Sequence, residues 1–374
     1  MTEVIRPRFH PWLERNAYRR NPPGSILFHA GSGVFQRPGG GEVQLIKTAE
    51  ALEEKGMPIG LFNPWSDRFS DHRIIHFFGL HAEAEELARQ AKMSGIGVVI
   101  SPICWYDPIA QWNEAPGWIP GLAGITKWFL LRNVRFSRRL AWRSRLLSLA
   151  DRILPNSQAE ADQLVGLLGV DRSRIEIVPN AVDTIGAKNV SDQPAVRQFG
   201  SQPFVLYVGR IEPRKNVLGL IHASISCNYP LVIIGQSPIE SADYENKCRE
   251  AALSHNVIFA GALPKNDPLL LSAMLTAKVF ALPSWFETPG LAALEAASLG
   301  TPVVITSRGA TREYFGDSVW YCDPAHHDSV SHALNLAWNR QDVRHTELAH
   351  TIQTKYTWSE VARIMEGIYD AVTP

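Results

Sequence analysis

The 374-residue sequence predicts an α/β fold arranged as two parallel-sheet domains, and three observations predict it. Short β-branched or aliphatic runs recur between helix-like segments, apolar on both faces as the central strands of parallel sheets are. The chain is too long for one core, at roughly 150 residues per domain. A polar stretch containing Gly186, Pro194 and Gly200 separates two successive series of strand-and-helix alternation.

The first series of strands is expected at Ser25–His29, Ile74–Phe77, Val98–Ile100, Ile153–Leu154 and Ile175–Val178. The second is expected at Phe204–Val208, Leu231–Ile234, Val257–Phe259, Val279–Leu282 and Val303–Ile305. Between them, Ser157 and Glu160 form a capping box before Ala161, Leu164 and Leu168, with Gly169 as the stop. Val43, Ile46, Ala49 and Leu52 give another helix a one-sided apolar face before Gly56. The expected domains are residues 25–184 and 204–357, joined by a linker at 185–203. Residues 1–24, with five arginines and four prolines, read as an irregular surface arm.

Composition narrows the function. With 37 basic and 37 acidic residues the formal charge is zero, so no global attraction to nucleic acid or anionic lipid is implied. Cys104, Cys227, Cys248 and Cys322 are scattered without paired metal-ligand spacing and read as ordinary thiols of a reducing compartment. The N-terminal stretch lacks an apolar signal core, and no run of about 18 apolar residues occurs. A cytoplasmic protein that does not span a membrane is therefore expected.

Three segments carry chemistry. After the strand ending at Leu282 the chain reads Pro-Ser-Trp-Phe-Glu287-Thr-Pro-Gly290-Leu291, then Ala-Ala-Leu-Glu295. Thr288 as N-cap with Pro289 at the first helical position would put Glu287 at the strand mouth and aim the amides of Gly290 and Leu291 at an anion. Glu295, about two turns along, could accept ribose hydroxyls. Alone, two glutamates at this spacing could equally be surface charges. The second segment, Tyr207-Val-Gly209-Arg210-Ile-Glu-Pro-Arg-Lys215, follows the first strand of the second half. Gly209 permits a tight turn, and Arg210 and Lys215 can reach an anion, although a basic loop can also be plain solvated surface. Arg214 reads as exposed. The third, Pro38-Gly39-Gly40-Gly41-Glu42, offers bare amides before a helix. It is no Walker loop, and Gly31-Ser-Gly33 does not complete a dinucleotide fingerprint, because Gln36 stands at the third glycine position. An oxidoreductase is disfavoured.

The frame of strand, Pro-Ser, Glu287, Gly290-Leu291, Leu-Glu295-Ala, Gly300 and Pro-Val-Val resembles the signature of the family 4 retaining glycosyltransferases with the two-domain GT-B fold. The resemblance covers roughly Ile26 to Val372 and is strongest after Asp151, where Pro155-Asn156-Ser157 and Val178-Pro-Asn180-Ala-Val-Asp183 look like family turns. It implies Rossmann-like domains facing a cleft, with a terminal helix within 358–374 crossing back to the first domain. It also implies a sugar passing from a nucleotide diphosphate donor to a glycan or lipid-linked acceptor, in cell-surface polysaccharide synthesis. Arg210 and Lys215 would clamp the diphosphate with the amides near Gly290 and Leu291, Glu287 would orient the sugar, and Glu295 would hold the ribose. Gly39, Gly40 and Glu42 match the family's Gly-Gly-x-Glu segment and would add phosphate contacts. No Asp-x-Asp motif occurs, so arginine and lysine are expected to do the work of a metal ion, with no cofactor beyond the nucleotide-sugar substrate.

Two departures stand out. The family places a donor-sugar histidine where this chain has Pro102-Ile103-Cys104-Trp105, leaving His76 as either a substitute sugar contact or a structural residue. The usual Glu-Gly-Phe-Gly has become Glu287-Thr-Pro-Gly290. A catalytically impaired nucleotide-sugar or glycan-binding partner, or a sugar-nucleotide epimerase, thus remains an alternative. Finally, Lys127, Arg132, Arg135, Arg138, Arg139, Arg143 and Arg145 are interleaved with Trp128, Phe129, Phe136 and Trp142, with no acidic residue among them. Such a segment can dock on an anionic membrane or pack as a helix with a solvated basic face, and no nucleic-acid module accompanies it.

Overall fold

The computed structural model describes residues 10–17, 19–31, 33–36, 39–107, 126, 141–183, 186–339 and 344–372. They fall into two compact units: one takes in the described residues between 10 and 105, residues 141–181 and the terminal helix from Trp358, and the other the described residues between 182 and 357.

The first unit is a five-stranded parallel sheet of β1 (Ile26–Ala30), β2 (Ile59–Leu61), β3 (Ile74–Phe78), β4 (Gly97–Ser101) and β5 (Arg152–Ile153), in the order β2-β1-β3-β4-β5. The register aligns Ile26 with Ile59 on one side and Ile74 on the other. Strand order reverses between β1 and β3, and ligands of such sheets bind outside the carboxyl ends at that point. The helix Gly40–Glu54 packs its buried Leu45, Ala49 and Leu52 into a core shared with Phe28, Ile74 and Val99. The terminal helix Trp358–Val372 joins the same core through Val361, Met365 and Tyr369.

The second unit is a six-stranded parallel sheet of β6 (Val205–Val208), β7 (Leu231–Ile234), β8 (Val257–Gly261), β9 (Val279–Leu282), β10 (Val303–Thr306) and β11 (Trp320–Cys322). Its order is β11-β10-β9-β6-β7-β8. The reversal lies between β6 and β9, the two strands followed by the Gly209 and Glu287 segments. β6, β7, β9 and β10 are buried along nearly their whole length, as strands covered on both faces must be, whereas β8 lies at an edge and exposes Ile258.

Several expectations change. Ile175–Val178 forms no strand: Ile175 makes one isolated bridge to Ile153, because β5 is itself only two residues long and offers little edge to pair with. β2 and β11 were not expected, being three residues each. The surface arm read for 1–24 instead contains the helix Pro11–Asn16, whose Trp12 is fully buried. Asn21 then donates to Leu61 O at 2.9 Å and Asp67 Oδ2 at 2.7 Å, which fixes the approach to β1. Within the expected linker lies the helix Gln193–Phe199, where the Ala195 amide donates to the buried Ser272 Oγ at 3.0 Å.

Candidate functional site

The turn after β6 is made by close backbone approach. Gly209 has φ +156° and Gly235 φ +152°, and a Cβ on Gly235 would lie 1.8 Å from the Gly209 carbonyl oxygen, so no side chain fits there. Gly209 N donates to Ile234 O at 3.0 Å, and the buried Tyr207 hydroxyl donates to Arg210 O at 2.7 Å. The turn is thereby fixed and presents the Arg210 side chain, 47% exposed, with Glu212 as its ionic neighbour at 3.5 Å. Downstream, Asn216 adopts a left-handed conformation at the start of the helix Val217–Cys227. Its Nδ2 donates to Pro283 O at 3.2 Å and Pro324 O at 3.3 Å, which ties this turn to the loops that follow β9 and β11.

Lys215 and Glu287 meet inside the site. Lys215 Nζ donates to Glu287 Oε1 at 2.6 Å, and Ser284 Oγ donates to the same oxygen at 2.5 Å. Arg214 Nη1 stands 3.9 Å from it. Both partners are largely buried, with side chains 14% and 6% exposed. Burial pushes the Glu287 carboxyl up, but the charges of Lys215 and Arg214 outweigh this and hold it below its ordinary value. The Glu287 backbone is clamped too: its N–H donates to Arg308 O at 3.2 Å, and its carbonyl accepts from Ala310 N at 2.9 Å. Gly309 between them has φ +97°, with no room for a Cβ against the Glu287 carbonyl.

The sequence reading of Arg214 as exposed is therefore corrected. It lies over the Phe286 ring at 5.2 Å, donates to Phe286 O at 3.3 Å and pairs with Glu212 at 3.2 Å. Arg308 was missed altogether. Its Nη2 donates to Asp323 at 3.0 Å, while Nη1 is buried without a hydrogen-bond partner among the described residues. The helix after Glu287 starts at Leu291, not Pro289, with Gly290 at φ +92° as its N-cap. A left-handed residue there leaves Thr288 and Pro289 outside the helix, so the expected Thr288 cap does not form. Glu295 consequently sits little more than one turn in, where Lys265 Nζ reaches its carboxylate at 3.0 Å and Asp183 at 3.4 Å. Burial lowers the Lys265 ammonium, but Glu295 and Asp183 together raise it above its ordinary value. Lys265 was also missed; its only signal was a lysine in the loop that follows β8.

In the first unit, Gly39 N donates to Glu42 Oε2 at 2.5 Å, so this amide is already engaged. Gly40 and Gly41 open the helix, where amides have no helical acceptor. His76, read as either a sugar contact or a structural residue, is fully buried, with Nδ1 2.7 Å from the Tyr369 hydroxyl and Nε2 3.0 Å from Ser101 Oγ, the surroundings of a core residue. Burial pushes its pKa down to about 3, so the ring is neutral. His81, which the sequence did not single out, occupies the switch point instead. Its ring fills the space beside Gly31 and Gly79, where a Cβ would come within 2.6 Å and 2.7 Å of it. After β4, Ile103 takes φ +46° and Cys104 N donates to Glu160 Oε1 at 2.8 Å, while Asn156 N donates to Oε2 at 2.8 Å. Thus Glu160 caps the loop and the helix start together, and burial raises its pKa to about 7. Burial also raises the Cys104 thiol well above its ordinary value. Lys127, Trp128, Arg132, Arg135, Arg138 and Arg139 lie outside the described residues. Arg143 stacks over the Trp142 ring at 4.4 Å, and Arg145 is engaged by Glu85 at 2.7 Å. Among the described residues no helix is long and apolar enough to cross a membrane, and no group of three or more acidic, histidine or cysteine side chains could hold a metal ion.

Comparison with known proteins places this geometry. Residues 38–185 match the family model Glycosyltransferase Family 4, and residues 191–353 match Glycosyl transferases group 1. Among curated relatives, the D-inositol 3-phosphate glycosyltransferase of Mycolicibacterium smegmatis is 35% identical over 178 residues, 46% of this chain and 41% of that protein. The protein of the same name from Acidothermus cellulolyticus is 28% identical over 253 residues, 62% of this chain and 56% of that one. The O-antigen chain mannosyltransferase B of Escherichia coli is 33% identical over 159 residues, 41% of this chain and 40% of it. The chain thus spans about half the length, or less, of the curated relatives it matches. Of solved structures, a sucrose-phosphate synthase from Thermosynechococcus elongatus superposes with a TM-score of 0.70 at 16% identity, over 93% of this chain and 98% of that one. Anabaena HepE in complex with UDP and glucose gives 0.68 at 18%, over 93% and 100%. The chain belongs to the family 4 glycosyltransferases and has their two-domain GT-B fold.

Proposed function

We propose that the chain transfers a sugar, with retention at the anomeric carbon, from a nucleoside diphosphate sugar to a glycan or lipid-linked acceptor in cell-surface polysaccharide synthesis. The observation that carries this reading is the switch point of the second sheet, where Arg210, the buried Lys215–Glu287 pair and the amides after Gly290 are brought to one edge. An ammonium has three donors, so Lys215 can keep Glu287 and still bond a phosphate oxygen. Arg210 adds a second, more exposed cation. As the anomeric C–O bond breaks, the electron pair leaves with the diphosphate, and preplaced cations stabilise that charge without a divalent ion. Glu287, oriented by Lys215 and Ser284, faces the sugar hydroxyls. Glu295 accepts from the ribose, positioned by Lys265.

The acceptor is assigned to the first unit, with His81 at its strand ends. Support for the donor class comes from the Anabaena HepE complexes with UDP and UDP-glucose. A polyhydroxyl acceptor is supported by relatives named for inositol phosphate and O-antigen substrates. The basic segment holds the enzyme at the cytoplasmic membrane face. The test is release of free nucleoside diphosphate from a panel of UDP-, GDP- and ADP-sugars, with and without a chelator. Binding without turnover on any donor and acceptor would leave only a nucleotide-sugar-binding protein.

A further inference from the structure

A cavity of about 360 Å³ opens at the opposite end of the second sheet from the donor segments. It is framed by Pro203 before β6, Pro230 before β7 and Asn256 before β8, all at strand amino ends. Arg210 and Glu287 follow strand carboxyl ends. A four-residue strand at about 3.3 Å per residue puts roughly 13 Å between the two edges.

Its chemistry is specific. Tyr229 and Trp338 stack nearly parallel, with ring centroids 4.0 Å apart and planes 11° from one another, and both are only partly buried. The Tyr229 hydroxyl donates to Asn335 Oδ1 at 2.7 Å, which pins the stack. Gln202, Asn228, His255 and Asn256 add amide and imidazole groups to the lining, each able to donate and accept. Ser224, also in the lining, is fully buried, and its Oγ has no hydrogen-bond partner among the described residues. Among the described residues, no lysine, arginine, aspartate or glutamate lines the cavity.

We propose that this cavity is a saccharide-binding site that takes an uncharged hexose ring of an oligosaccharide, separate from the donor site. An aromatic face carries negative quadrupole charge and attracts the positively polarised C–H face of a pyranose, while the surrounding amides match its hydroxyls. A site here would retain a growing glycan on the enzyme while its end is extended elsewhere, by raising the local concentration of the chain.

Saturation-transfer NMR on the full chain tests this, with maltotriose and α-mannotriose as probes and uridine and adenosine as nucleoside comparisons. At least one trisaccharide should bind. Trp338→Ala should weaken it about tenfold, and Trp338→Phe should retain it. Asn256→Ala should also weaken it without lowering the melting temperature, so a folding defect at Trp338 cannot mimic the result. UDP affinity should be the same in all four proteins, whether or not the chain turns over a sugar donor. Binding of neither trisaccharide, binding indifferent to Trp338→Ala and Asn256→Ala, or nucleosides bound there in their place would overturn the proposal.

Discussion

Lys215 and Glu287 stand 72 residues apart in the chain and 2.6 Å apart in the structure. The sequence read both as site residues but gave each its own ligand, because nothing in the spacing says that they touch. Their contact changes what a substitution does. Lys215→Ala removes a phosphate contact and also leaves a buried carboxylate short of its main partner, which costs about 3–5 kcal/mol. A urea titration should show that loss, and Lys215→Ala/Glu287→Gln should recover part of it; simple additivity in the cycle would contradict the coupling. Glu287 also sets a pH dependence. Its folded pKa lies below the ordinary 4.5, so its contribution is complete above that value and is lost as pH falls through the depressed one. The acid limb of stability should therefore flatten in the Glu287→Gln variant. His76 behaves in the same direction for another reason. The buried ring must be neutral, so protonation of the unfolded chain below 6.5 draws stability away as pH falls toward about 3. His76→Ala should lower the melting temperature and leave nucleotide affinity unchanged; a loss of affinity alone would restore His76 to the site.

Elements with strong local signals were legible. Ser157 Oγ accepts from Glu160 N at 3.1 Å, and Gly169 ends the helix at φ +68°, as their positions indicated. Yet the Glu160 carboxylate reaches Asn156 N and Cys104 N, not back to Ser157, so the cap doubles as the anchor of a loop 56 residues earlier. That tertiary use is invisible in a local motif. Edge elements were the least legible: β2 is a three-residue strand with Gly60 at its centre, and its place is set by pairing with β1. The start of the helix at Leu291 was misjudged because Pro289 commonly begins helices, while the left-handed Gly290 after it prevents that here. Glu160 supplies a prediction at this scale. Its folded pKa of about 7 exceeds the ordinary 4.5, so the folded protein binds the extra proton and stability declines as pH rises from 4.5 through 7. That slope should vanish in Glu160→Gln, as read from urea midpoints across this range; an unchanged slope would assign the effect to other groups.

At the scale of the molecule, the alternation of runs and helices was enough to read two parallel sheets, because buried parallel strands are apolar along their length. The strand orders were not readable. They emerge only from pairing, and they place Gly209 and Glu287 at one switch point and Gly31 and Gly79 at the other. The basic segment is tested on the whole protein as well. Replacing Arg135, Arg138, Arg139 and Arg143 with glutamine should abolish sedimentation with anionic vesicles and leave nucleotide affinity intact, and wild-type binding should weaken as salt shortens the screening length to about 8 Å. Equal pelleting of both proteins with acidic and neutral lipid would count against the membrane reading. The most direct measurement of the central claim is nucleoside diphosphate release from the sugar-nucleotide panel, run with a chelator for the wild type, Arg210→Ala and Glu295→Gln. The account predicts release from at least one donor by the wild type, undiminished by the chelator, with weaker donor binding in both variants. No release from any donor, or equal release by all three proteins, would contradict it.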